Sequence, residues 1–201
     1  HIFGSGRTDS GVHAINQYFH FRTSKTLPVE AYLYGLNSLL PPDIRIKGVE
    51  VVPAGFHACF SAKKKTYLYR ILNRKTPTAI ERDFCWHIPY YLNIDIMNMA
   101  SEIIVGTIDF SSFRSSMCTT KDSIRTVYEA YWKKEGEHLN FLITANGFLH
   151  NMVRIIVGTM VDLGRGKITL DDFQTILAAK DRKRAGRTSP PHGLYLYEVY
   201  Y

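Results

Sequence analysis

Apolar residues recur along this chain at two different periods, and each change of period marks a predicted element. From Val12 to Phe21 polar and apolar positions alternate, which predicts a strand. After Pro28 the apolar positions Val29, Leu33, Leu36 and Leu40 fall at three- and four-residue steps, one face of a helix stopped by Pro41-Pro42-Asp43. Alternation returns from Ile44 to Val52 and again from Thr66 to Leu72, predicting two more strands. Ile94 to Val105 predicts a helix closed by Gly106. Thr126 to Lys134 and Leu139 to Ala145 predict a hairpin turning through Glu135-Gly136-Glu137. The longest apolar helix runs from Leu149 to Leu163, with Leu149, Val153, Ile156 and Met160 on one stripe. Thr169-Leu170-Asp171-Asp172 resembles a capping box opening a further helix, with Leu170, Phe173 and Leu177 inward. Leu194 to Tyr200 closes the pattern as a strand, and Thr107 to Asp122 is a polar loop long enough to suspect a function. Helices and strands mix without a strict βαβ repeat, which predicts an α+β fold with largely antiparallel sheet.

Composition adds a partner class. Lys and Arg total 25 against 18 acidic residues, a net charge of +7, and the chain holds 13 Tyr and 11 Phe. Cations for phosphates beside rings for bases suit a polyanion such as RNA. The three cysteines, Cys59, Cys85 and Cys118, are far apart and form no CxxC pair, so neither a zinc site nor a disulfide framework is indicated. No apolar run approaches the ~20 residues that span a bilayer. The chain begins at His1 rather than Met, which predicts a natural start further upstream.

The densest chemistry lies in Gly4-Ser5-Gly6-Arg7-Thr8-Asp9-Ser10-Gly11-Val12-His13-Ala14. Glycines allow a tight loop that presents Arg7 and Asp9 together. A carboxylate beside a cation stays ionised at neutral pH and can serve as nucleophile or base. The plainer alternative is a glycine-rich turn in which Asp9 caps backbone amides and Arg7 is solvated. Tyr67 and Tyr69 share one face of their strand, either as stacking platforms or as core and half-exposed rings. Arg154 lies on an otherwise apolar helix, so it either pairs with a carboxylate or faces solvent. His150 reads as a surface histidine at a helix start rather than a catalyst. His13, His20 and His57 lack metal-ligand spacing and read as structural or RNA-contacting. Lys180, Arg182, Lys183, Arg184 and Arg187 extend the basic surface.

These stretches, taken in order, resemble the TruA-type tRNA pseudouridine synthases along the whole chain. GSGRTDSGVHA with Gln17, His20 and Phe21 is similar to that family's catalytic loop and following strand. Leu36-Asn37-Ser38-Leu39-Leu40-Pro41-Pro42-Asp43-Ile44 is similar to its LNxxLPxDI element, and Phe56-His57-Ala58-Cys59-Phe60-Ser61-Ala62 to its FHARFSA stretch. Tyr67-Leu68-Tyr69 follows at family spacing, and Asp109-Phe110-Ser111-Ser112-Phe113-Arg114 resembles the DFxSF loop. Gly147 to Gly158 resembles the GFLxxMVRxIVG helix, and Ala185 to Leu196 the closing AGxTAPxxGLxL segment.

The resemblance implies two ferredoxin-like halves sharing a mainly antiparallel central sheet, with residues 1–55 a truncated first half and residues 56–201 the second. It implies conversion of uridine to pseudouridine at positions 38 to 40 of the tRNA anticodon stem-loop, by a cytoplasmic homodimer that uses no metal and no cofactor. Asp9 would be the nucleophile, Tyr67 the ring on the target uracil, and Arg154 the ion-pair partner of Asp9; beyond what the resemblance implies, Tyr67 is also our candidate for removing the C5 proton. Arg7, His13, Gln17, Lys63, Lys64, Lys65 and Arg114 would contact RNA. Two departures stand out. Family chains carry roughly fifty residues before the glycine loop, and their lack predicts an exposed sheet edge, an uncovered apolar face and a less stable fragment. Cys59 replaces the common Arg of FHARFSA, removing a cation near the site. A tRNA-binding fragment without turnover is the alternative the missing segment would favour.

Overall fold

A computed structural model describes residues 1–116 and 122–201. The elements, in chain order, are β1 (Ile2–Gly4), β2 (His13–Ala14), β3 (Phe19–Phe21), α1 (Val29–Leu39), β4 (Lys64–Asn73), β5 (Trp86–Ile88) and α2 (Ile94–Ile103). Then follow β6 (Gly106–Asp109), a 3-10 turn at Ser111–Phe113, β7 (Ile124–Glu135), β8 (His138–Ala145), α3 (Met152–Gly164), α4 (Leu170–Ala179) and β9 (Leu194–Tyr200). The fold is α+β, and its principal sheet runs β2-β9-β4-β8-β7-β6 with antiparallel pairing dominant. β4 is the hub. One of its edges pairs with β8 throughout; the other is shared between antiparallel β9 at Lys64–Tyr69 and parallel β5 at Ile71–Asn73.

One face of this sheet is closed by helices. Tyr69, Ile71, Phe141 and Ile143 point into a core filled by Ile155, Ile156 and Met160 of α3, Met97 of α2 and Phe173 of α4. α3 is buried at every position except Arg154 and Asp162, as expected of a helix that is apolar nearly all round. The capping box opening α4 forms as expected, Thr169 and Asp172 exchanging bonds. Among the described residues, no helix is long and apolar enough to cross a membrane.

Several expectations change. Val12 to Phe21 is two short strands in different sheets, because the Ile15 and Asn16 amides both bond the Leu196 carbonyl and end the pairing with β9. Beyond that point the chain turns so that β3 pairs antiparallel with β1. Ile44 to Val52 is not a strand. The amide and carbonyl of Ile46 are both taken by the Asn37 side chain, at 2.9 Å each, in place of a ladder partner. Thr107 to Asp122 begins with β6 and the 3-10 turn, and its residues 117–121, with Cys118, lie outside the described residues. Leu149 precedes α3 rather than opening it. β1 and β5 are too short for periodicity to announce.

Candidate active site

Several pieces of chain meet at one cleft of about 690 Å³, lined by Arg7, Asp9, Cys59, Tyr67, Phe148 to Val153 and Leu194. That volume lies in the range of small-ligand pockets. The glycine loop supplies Asp9. Its turn closes with the Val12 amide on the Asp9 carbonyl at 3.1 Å, and Gly11 takes φ +80°, a conformation side-chain-bearing residues avoid. Buried Ser5 anchors the loop through its amide on the Tyr18 carbonyl, and Lys65 Nζ donates to the Ser5 carbonyl at 2.7 Å. Gln17 donates to the Gly6 carbonyl at 3.0 Å. The backbone beneath Asp9 is therefore held from three sides.

Arg154 arrives from the first turn of α3 and makes three bonds within the protein. Nη1 donates to Asp9 Oδ2 at 2.8 Å and to Asn151 Oδ1 at 2.8 Å, while Nε donates to the Ser189 carbonyl at 2.8 Å. Of the two readings left open for Arg154, pairing with a carboxylate is the one observed. Only 14% of its side chain is exposed, against 30% for Asp9, so the cation lies behind the carboxylate and the carboxylate faces the cleft. Asn151 makes this possible by adopting φ 62° just ahead of the helix, a left-handed conformation that Asn tolerates. Ser189 reaches Arg154 because its segment crosses α3 at two glycines. A Cβ on Gly158 would stand 1.8 Å from the Arg187 carbonyl oxygen, and one on Gly186 would stand 2.9 Å from Thr159 Cα.

Tyr67 stands on β4 at the cleft, edge-on to Phe148 with ring centroids 4.9 Å apart. Burial first, and the Asp9 carboxylate second, push its phenol up to about 12. It is therefore a neutral phenol near neutral pH, and its ring lines the cleft. Tyr69 is fully buried and donates to the Pro190 carbonyl at 2.8 Å, so it is core.

The remaining expected RNA contacts scatter. Arg7 is exposed at the cleft. Lys65 and Gln17 brace the loop, as described, and Lys64 lies over the Tyr200 ring at 4.5 Å. His13 bonds the Asp83 carbonyl at 2.9 Å and stacks between Phe84 and Tyr195, a structural placement. Arg114 donates to Ser123 Oγ at 3.0 Å, and Lys63 precedes β4. His150, read from the sequence as a surface histidine, has Nε2 3.3 Å from Asp9 Oδ1. Asn151, Ser189 and His150 are the residues that sequence reasoning missed; an Asn directly before an apolar helix was the one available signal.

Comparison with known proteins gives the same direction. A family profile described as tRNA pseudouridine synthase matches residues 100–201, the part that carries Arg154. A protein named tRNA pseudouridine synthase A from Bacillus subtilis is 48% identical over 200 residues, covering 100% of this chain and 81% of that protein. Proteins of the same name from Thermoanaerobacter sp. and Caldicellulosiruptor bescii are each 48% identical over 200 residues, covering 100% of this chain and 82% of theirs.

Proposed function

Because the chain belongs to the tRNA pseudouridine synthase family, we propose that it isomerises uridine to pseudouridine in the anticodon stem-loop of tRNA, with Asp9 as nucleophile. The observation that carries this reading is the Asp9 carboxylate, presented to the cleft on a braced loop with Arg154 behind it at 2.8 Å. The reaction breaks N1–C1′ of the uridine, turns the base, joins C5 to C1′, removes the C5 proton and returns a proton to N1. It changes no net composition, so it calls for no oxidant, reductant or group donor.

Each side chain then has a task. Arg154 keeps the carboxylate charged and aimed; charge-assisted bonds of this kind are short and strong. The Tyr67 ring and Phe148 offer an apolar wall for a uracil face, and stacking on an aromatic is worth about 1–3 kcal/mol. A target inside a stem must first leave the stack, and Arg7, exposed and lining the cleft, would meet its phosphate or fill its vacated position. The net charge of +7 supports binding of an RNA backbone. Assembly as a homodimer is part of the same proposal.

The test is pseudouridine formation on a tRNA transcript by this chain and by Asp9→Ala. The expected loss is roughly 10³-fold or more, the scale seen when a nucleophile is removed, with tRNA affinity retained. Turnover by Asp9→Ala within tenfold of the parent would refute the assignment of Asp9.

A further inference from the structure

The two oxygens of Asp9 are held in different ways. Oδ2 receives Arg154, which is itself fixed by Asn151 and Ser189 and is 14% exposed. Oδ1 faces His150 Nε2 at 3.3 Å, and that imidazole is 38% exposed and lines the same cleft. His150 is well placed to aim. Its carbonyl accepts the Ser115 amide at 3.0 Å, and its neighbour Asn151 takes the left-handed turn into α3, so its backbone is anchored on both sides.

One contact at Oδ2 leaves a carboxylate free to rotate about Cβ–Cγ, and an imidazole packed 3.3 Å from Oδ1 restricts that freedom. Resting on the assignment of Asp9 as nucleophile, we propose that His150 is a positioning residue: the second hold on Asp9, which fixes the plane of its carboxylate and presents Oδ1 to the bound nucleotide. The longer, more exposed contact is the one that gives way when Oδ1 bonds to substrate, while the Arg154 clamp stays closed. Placement errors of about 1 Å at a reacting group cost on the order of 100-fold in rate, so this second hold has a measurable share of turnover.

The experiment compares His150→Leu, His150→Gln and Asp9→Ala with the parent chain by steady-state kinetics on a tRNA transcript, with thermal melts of each. His150→Leu is expected to lower kcat by roughly 10- to 100-fold with KM for tRNA and the melting temperature unchanged. His150→Gln, whose amide keeps a polar N–H within reach of Oδ1, is expected to recover most of kcat. Unchanged kcat in His150→Leu would overturn the proposal, and so would a raised KM with kcat intact, which would make His150 an RNA contact. A Gln variant as slow as the Leu variant would also overturn it. Failure of the Asp9 assignment is read separately, as turnover surviving in Asp9→Ala.

Discussion

Among single side chains, Tyr67 carries a consequence that reaches beyond the cleft. Its phenol titrates near 10 in an unfolded chain and is pushed up to about 12 here by burial and by Asp9. As pH rises past 10 the unfolded chain loses this proton first, so the folded state loses the corresponding stability progressively until about pH 12. At pH 11 the loss is on the order of 1 kcal/mol from this residue alone. Urea midpoints at pH 9 and pH 11 should therefore fall further apart in the parent than in Tyr67→Phe; equal drops in both would refute the argument. That Arg154 needs a carboxylate was legible in the sequence, because a guanidinium on an apolar helix needs an anion, but only the family resemblance pointed to Asp9 as that carboxylate. Ser189 was not, since a backbone carbonyl contact leaves no trace in residue type, and Asn151 offered only the weak signal of an Asn directly before an apolar helix.

The elements show why the site depends on close approach. α3 carries Arg154 at its start, and segment 185–189 lies across it where Gly158 and Gly186 face each other's backbone. Any side chain at 158 pushes on the Arg187 carbonyl and drags the Ser189 carbonyl from Arg154 Nε. Gly158→Ala is expected to cost roughly 1–3 kcal/mol, the usual range for overpacking, and to lower kcat as well; calorimetry showing an unchanged melting transition would count against it. The sequence shows the glycine and the periodicity of α3, but not the segment that crosses it. The same limit explains the region from Ile44 to Val52. Alternation describes extended chain, and only the Asn37 side chain, already bonded to both polar groups of Ile46, decides that no ladder forms there.

Across the whole molecule, helices close one face of the sheet and the other face remains partly open. Cross-strand register puts Tyr131, Leu142 and Leu68 in one row of that face, and Tyr197 and Tyr200 lie close enough to act on the Tyr131 phenol. Tyr128, Tyr131, Tyr197 and Tyr200 are all exposed, and aromatic surface of this kind is enriched at subunit interfaces. Light scattering should find the parent chain dimeric and Tyr131→Glu monomeric; a parent that is monomeric at micromolar concentration would remove this face from the proposal. The mixed fold and its antiparallel sheet were legible from periodicity. The parallel pairing of β5 was not, because its three residues are placed by β4 alone. Finally, Asp9 and Arg154 are separated by 145 positions. At about 5–20 residues per second, that separation is roughly seven to thirty seconds of synthesis. A nascent chain therefore exposes its glycine loop long before it owns the cation that pairs with Asp9, and this ion pair cannot form until α3 has emerged.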